Sequence, residues 1–239
     1  MVRRRTPPHL LQGGTAVNAG RGAPGERGTA MLCALLIIAL LTTLGAALVV
    51  VVTAETLVSA HHAASQQALY AAEAGAERAI GELRALPTWQ TVPMPGRTSA
   101  FADLNDGSLA PNLPDGTVLD LPQLTVERQA ASNGFFPNAP DRPEWRLFGH
   151  VTLDQMTAEV AASAPPYLLV WVADDPDDLD GDPGRDSNDI LMVRSEAFAG
   201  AGVRRSVQAT ILRQSALDGA AGNGVMRSDV KVIAWMEVR

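Results

Sequence analysis

The chain has 239 residues, of which 46% are hydrophobic and only 5% aromatic, so length alone allows one or two ordinary domains. Its net charge of minus seven is unevenly spread: Arg3, Arg4, Arg5, Arg21 and Arg27 against Glu26 alone give the first 28 residues a charge of plus four, leaving minus eleven on the rest. A folded part this acidic lacks the basic surface that phosphate contacts need, which argues against nucleic acid as a partner, and the sole cysteine, Cys33, excludes an internal disulfide and a cysteine-based metal site.

Residues 1–28 form a basic, polar, glycine-containing leader, and the chain then changes character abruptly. No charged residue occurs between Arg27 and Glu55, and Ala30 to Ala54 is a run of twenty-five residues dominated by Leu, Ala, Val and Ile. At about 1.5 Å per residue such a helix reaches roughly 37 Å, enough for a hydrocarbon core of about 30 Å. A cleaved secretory signal has a shorter apolar core and a small-residue cleavage site, whereas here a polar helical pattern continues without a break. The arginines before the span and Glu55 after it place the N-terminus on the cytoplasmic side and the body outside the cytoplasmic membrane. The apolar run follows Cys33, whereas a lipoprotein signal precedes its cysteine, so Cys33 does not read as a lipidation site.

From Glu55 to Leu86 the chain has no proline and two glycines, Gly75 and Gly81, is rich in Ala, Glu and Gln, and stops at Pro87. Its residue types are good helix formers. Apolar or small residues recur at Leu57, Ala60, Ala64, Ala68, Ala71, Gly75, Ala79, Leu83 and Leu86, in steps of three and four that set one stripe on one face. Residues 29–54 and 55–86 thus read as the membrane and extracytoplasmic halves of one helix, roughly 85 Å long. The small-residue face, Ala60, Ala64, Ala68, Ala71, Gly75 and Ala79, suits close approach of another backbone: either neighbouring subunits or the chain's own sheet. His61 and His62 point about 100° apart on such a helix and do not form a shared metal site.

These residues resemble a known family. Arg27-Gly28-Thr29-Ala30-Met31-Leu32, followed by Leu40-Leu41-Thr42-Thr43-Leu44-Gly45, is similar to the start and apolar core of PilX-type minor pilins and the related K-type general secretion pseudopilins. The segment from Ala68 to Ala79, with Ala71-Ala72-Glu73-Ala74-Gly75 at its centre, resembles the signature closing that family's N-terminal helix. The resemblance covers about residues 26–86. It implies cleavage by a prepilin peptidase between Gly28 and Thr29, N-methylation of Thr29, and extraction of the helix from the membrane into a filament of pilin subunits. Most pilins carry glutamate at the fifth mature position; here that position is Cys33, a departure that favours a minor, initiating or tip subunit over a filament-filling one.

Residues 87–239 read as the extracytoplasmic domain. Residues 87–165 are rich in Pro, Gly, Asn and Asp and read as loops with small strands, Trp145 to Leu153 among them. Clearer strands follow at Tyr167 to Ala173, at Asp189 to Glu196 joined through Ala199-Gly200-Ala201-Gly202 to Val203 to Leu212, and at Val230 to Val238. The expected fold class is α+β: a long N-terminal helix packed on a small antiparallel, pilin-like sheet. Between the first two of these strands lies an acidic stretch in which Asp178, Asp180, Asp182, Asp186 and Asp189 present oxygen ligands around Gly181. That chemistry suits Ca²⁺, although no glutamate closes a twelve-residue EF-hand frame; a solvated acidic loop without any cofactor is the competing reading. None of the four histidines sits in a nucleophile or metal motif, so no enzyme is predicted. The expected role is a minor pilin or pilin-like subunit in type IV pilus assembly, with other pilin subunits, the prepilin peptidase and the cytoplasmic membrane as partners. The alternatives are a type II secretion pseudopilin and a membrane-anchored binding module outside any filament.

Overall fold

A computed structural model describes residues 26–100, 109–113, 115–139, 141–156, 164–200, 202–218 and 225–238. Gly28 and Thr29, the expected cleavage pair, lie in the first turn of the first helix, whereas residues 1–25 of the expected leader lie outside the described residues. The chain divides into two units, Met1–Glu55 and Thr56–Arg239. Helix α1 runs from Glu26 to Arg84, 59 residues, and contributes to both.

In the first unit, every described side chain from Gly28 to Glu55 is exposed, including Met31, Leu36, Leu41, Leu48 and Val50. Its hydroxyls are turned inward on the helix itself. Thr42 Oγ1 donates to the Ile38 carbonyl at 2.7 Å, Thr43 to Leu40 at 2.8 Å and Thr53 to Val49 at 2.8 Å. Such back-bonding leaves no unsatisfied hydroxyl on a surface of aliphatic side chains, as a hydrocarbon environment demands. This helix is long and apolar enough to cross a membrane.

The second unit is built on a five-stranded antiparallel meander in the order β1-β2-β3-β4-β5. The strands are β1 (Arg146–Thr152), β2 (Tyr167–Asp174), β3 (Ile190–Ala199), β4 (Val203–Asp218) and β5 (Val225–Val238). The β3–β4 hairpin closes where Gly202 adopts a φ of 70°, in the left-handed region that a side chain disfavours. Its register, from Ala199↔Val203 to Ile190↔Leu212, sets alternate residues on opposite faces.

Both faces of the central strands are covered, which is why all eight residues of β2 are buried. On one face, Leu168, Val170, Val172, Leu191, Val193, Val207, Ala209 and Ile211 form a core with Ala68, Ala72, Ala76, Ala79 and Leu83 of α1. On the other, Leu169, Trp171, Met192 and Phe198 pack with Trp145 and with Leu121 and Leu124 of helix α2 (Leu121–Phe135). The α+β layout, a long N-terminal helix with an antiparallel sheet, therefore stands. The second covering layer differs from the reading of 87–165 as loops and small strands. Helix α2 starts with Asp120 as N-cap, its carboxylate accepting from the Gln123 N–H at 2.9 Å, and with Pro122 in the first turn. A short helix α3 (Leu153–Met156) follows β1.

The C-terminus of α1 is fixed by side chains. Trp89, fully buried, donates its indole N–H at 2.9 Å to the Leu83 carbonyl, which also accepts the Leu86 N–H at 3.1 Å in the last turn. Glu82 Oε2 accepts from Ser99 Oγ at 2.6 Å and from the Ala100 N–H at 3.1 Å. Further up, Arg205 of β4 donates to Ser65 Oγ through Nε at 2.8 Å, so strand and helix are joined at both ends of the contact.

Candidate functional site

The small-residue face of α1 changes environment along its length. Ala60 is exposed and Ala64 is half-buried, whereas Ala68, Ala71, Gly75 and Ala79 are buried on the chain's own sheet. The approach is closest at Gly75: a Cβ there would sit 2.6 Å from Ser195 Oγ and 3.6 Å from Val170 Cγ2. Glycine at this position thus lets the helix rest directly on the Ser195 side chain of the sheet. Of the remaining helix surface, Leu57, Val58 and Tyr70 are each more than 60% exposed, a set of apolar side chains that the sheet does not use.

A second apolar surface lies on the edge strand. Along β5, Val232, Ile233, Trp235 and Met236 are 40 to 50% exposed, and Val232 and Trp235 line a groove with Glu73, Glu77, Ile80, Gly81 and Arg84 of α1. An edge strand with an open hydrogen-bonding side and apolar side chains invites pairing or packing by another chain.

The acidic loop joins β2 to β3 and is folded by its own carboxylates. Asp175 accepts from the Asp177 N–H at 3.0 Å, Asp178 from Asp180 at 3.2 Å, Asp180 from Asp182 at 2.9 Å and Asp182 from Gly184 at 3.1 Å, four turns of the Asx type in succession. Asp178 is held further by the Ser187 N–H at 2.8 Å and Ser187 Oγ at 2.6 Å, and Asn188 Nδ2 donates to Asp175 at 2.8 Å. Gly181 and Asp189 take positive φ, 74° and 61°, where the chain reverses.

Of the five aspartates that the sequence nominates, Asp178 and Asp180 enter clusters. Asp174, Asp175 and Asp178 each bring a carboxylate oxygen within 4.8 Å of the others, and so do Asp141, Asp174 and Asp180. Asp182, Asp186 and Asp189 belong to neither group. Asp189 instead pairs with Arg213 Nε at 3.1 Å. Sequence reasoning missed Asp141, which precedes β1, and passed over Asp174 and Asp175 as ligands because they belong to the strand end and not to the alternating spacing.

Burial makes this cluster electrostatically expensive. Asp141, Asp174, Asp175 and Asp178 are all less than 4% exposed, and no ion pair reaches any of them among the described residues. Burial, with repulsion from Asp186, Asp178 and Asp175, drives the Asp174 carboxyl up to about 8 despite the hydrogen bond from the Asp175 N–H. Burial raises Asp141 as well, helped by the charges of Asp180 and Asp178, and burial raises Asp175. For Asp178 burial acts upward too, but the hydrogen bonds from Ser187, Asp180 and Leu179 outweigh it and hold the carboxyl below its usual range.

On the α2 side of the sheet, a separate buried charge is fully partnered. Glu196 has no exposed surface and meets Arg128 Nε at 2.9 Å, Arg194 Nη2 at 3.2 Å and Arg204 Nη2 at 2.7 Å. This arrangement locks α2 to β3 and β4 and reads as structural.

Residues 27–77 match the family model described as PilX N-terminal. The matched segment contains the charge-free stretch of α1 and its continuation as far as Glu77, and it confirms the resemblance found at the N-terminal region. Comparison with curated proteins and with solved structures finds no match.

Proposed function

We propose that the chain is a minor pilin-like subunit of a type IV pilus, anchored by α1 in the cytoplasmic membrane and then built into the filament near its start or tip. The observation that carries this reading is the match of residues 27–77 to the PilX N-terminal model on a helix whose first part is uniformly apolar and exposed. A wholly exposed aliphatic helix is stable only in lipid or against other apolar helices, and a pilin uses the two in turn. The N-terminus faces the cytoplasm and the sheet lies outside, as the five leader arginines favour. Cleavage after Gly28 by a prepilin peptidase frees Thr29 as the mature N-terminus. Cys33 at the fifth mature position supplies no carboxylate to meet a neighbour's terminal amine, which suits a subunit that starts or caps a filament.

Neighbouring subunits would meet Leu57, Val58, Ala60 and Tyr70 on the helix and the apolar edge of β5, surfaces left open by the intramolecular core. The role is structural: binding and assembly, with no catalytic step assigned. Shearing filaments from the native host and probing them with antibody to the 87–239 domain tests this. The protein should co-purify with the sheared filaments, in substoichiometric amount. Its retention entirely in the cell membrane would instead support an anchored binding module.

A further inference from the structure

The cluster beside the end of β2 combines two features that a merely solvated acidic loop does not need. Asp174 is fully buried, belongs to both carboxylate groups, and keeps its Oδ2 without a hydrogen-bond partner. Asp141, only 3% exposed and arriving from the segment before β1, likewise leaves its Oδ2 unpartnered. Buried carboxylate oxygens normally find a donor, and a native fold that aims several at one another without one lacks their counter-charge. Among the described residues no ion pair reaches these carboxylates; Arg142 donates to the Pro137 carbonyl at 3.1 Å and Arg213 pairs with Asp189.

We infer that two carboxylate triads sharing Asp174, one with Asp141 and Asp180 and one with Asp175 and Asp178, together form a binding site for one Ca²⁺ ion, which ties the segment before β1 to the β2–β3 loop. Oxygens that share a Ca²⁺ at about 2.3–2.6 Å stand no more than about 5 Å apart, a limit that each triad satisfies within itself. The hydrogen bonds already made to Asp175 and Asp178 do not compete, because each carboxylate oxygen has a second lone pair. Ca²⁺ accepts six to eight oxygens in loose geometry, whereas Mg²⁺ demands a compact octahedron and keeps its waters, so carboxylates spread over two triads that share Asp174 suit the larger ion. The ligand set reaches across 33 positions of sequence from Asp141 to Asp174, and of the alternating series Asp178, Asp180, Asp182 it uses only the first two.

The test is calorimetric titration of the full chain in detergent, stripped with EGTA, with CaCl₂ and separately with MgCl₂, on the parent and on Asp174→Asn, Asp141→Asn and Asp177→Asn. Asp177 is exposed and belongs to neither group, so it controls for general acidity of the loop. One Ca²⁺ per chain is expected, with affinity for Mg²⁺ weaker, a loss of about tenfold or more in each of the first two variants, and an unchanged Asp177→Asn protein. Melting in EGTA separates ligand loss from misfolding: Asp174→Asn should melt no lower than the parent, because it replaces a buried carboxyl whose Oδ2 has no partner by an uncharged group of the same shape, and should lose the upward shift that Ca²⁺ gives the parent. Absence of saturable Ca²⁺ binding would overturn the inference. So would equal losses in all three variants, binding of several equivalent ions, or an Asp174→Asn chain that is unfolded in EGTA.

Discussion

The docking of α1 on the sheet makes a quantitative demand at Gly75, where an added methyl group meets Ser195 Oγ at 2.6 Å. Replacing Gly75 by alanine should bring two opposing terms. The helix gains about 1 kcal/mol from the better propensity of alanine, while overpacking a close contact costs about 1–3 kcal/mol, so the net loss is about 1 kcal/mol. Ser195 Oγ is buried and has no hydrogen-bond partner, so Ser195→Ala alone should be neutral or slightly stabilising. With Oγ gone, the next contacts to the new methyl are Val170 Cγ2 at 3.6 Å and Ser195 Cβ at 3.7 Å, ordinary van der Waals separations. The Gly75→Ala/Ser195→Ala protein should therefore recover the helix term and exceed Ser195→Ala by about 1 kcal/mol, with a coupling of about 1–3 kcal/mol between the two sites. Urea unfolding in detergent, followed by fluorescence of the buried Trp89 and Trp171, measures all four corners of the cycle. Additive effects, with Gly75→Ala about 1 kcal/mol more stable than the parent, would show that this face of α1 does not rest on β3.

Three further outcomes follow from the same contacts. Glu196→Gln should cost about 3–5 kcal/mol in urea unfolding, because it leaves the buried Arg194, the partly buried Arg128 and the more exposed Arg204 without their shared counter-charge. Trp89→Phe keeps most of the apolar burial but removes the indole donor to the Leu83 carbonyl, which retains the Leu86 N–H, so a loss of about 0.5–1.5 kcal/mol is expected by the same assay. In chelator, stability should decline as pH rises from about 4 towards 8 through the titrations of Asp186, pushed up to about 6, and Asp174, pushed up to about 8: the folded state holds protons that the unfolded chain has already released, so folding is favoured on the acid side. Melting curves across that range, corrected for a variant carrying Asp174→Asn and Asp186→Asn, check the sign; a flat or rising profile would refute it.

Much of the architecture is legible in the sequence because one physical rule controls it. The charge-free run and the three-and-four spacing after it define α1, which ends at Arg84, just short of Pro87. The Gly-rich link at 199–202 marks the β3–β4 hairpin, and the unbroken apolar run of β2 signals burial on both faces. Helix α2 escaped because its contacts with the sheet are largely polar. Thr125 accepts from the Trp171 indole at 2.9 Å, Arg128 pairs with Glu196, and Gln129 bonds the Trp145 N–H and the Pro143 carbonyl at 2.9 Å each. A helix held in this way shows no apolar stripe, and only Asp120 with Pro122 announces its start. The acidic cluster was half legible. Alternating aspartates reveal a loop rich in oxygen ligands, but Asp141 reaches it through the tertiary fold, and spacing carries no trace of that.

The account rests most directly on what happens at Gly28 and Thr29. The protein extracted from membranes of the native host, with and without its prepilin peptidase, should be analysed by mass spectrometry for its N-terminal residue. A chain beginning at Thr29 only where the peptidase is present is the predicted result; a leader retained with all five arginines in both strains would contradict assembly as a pilin.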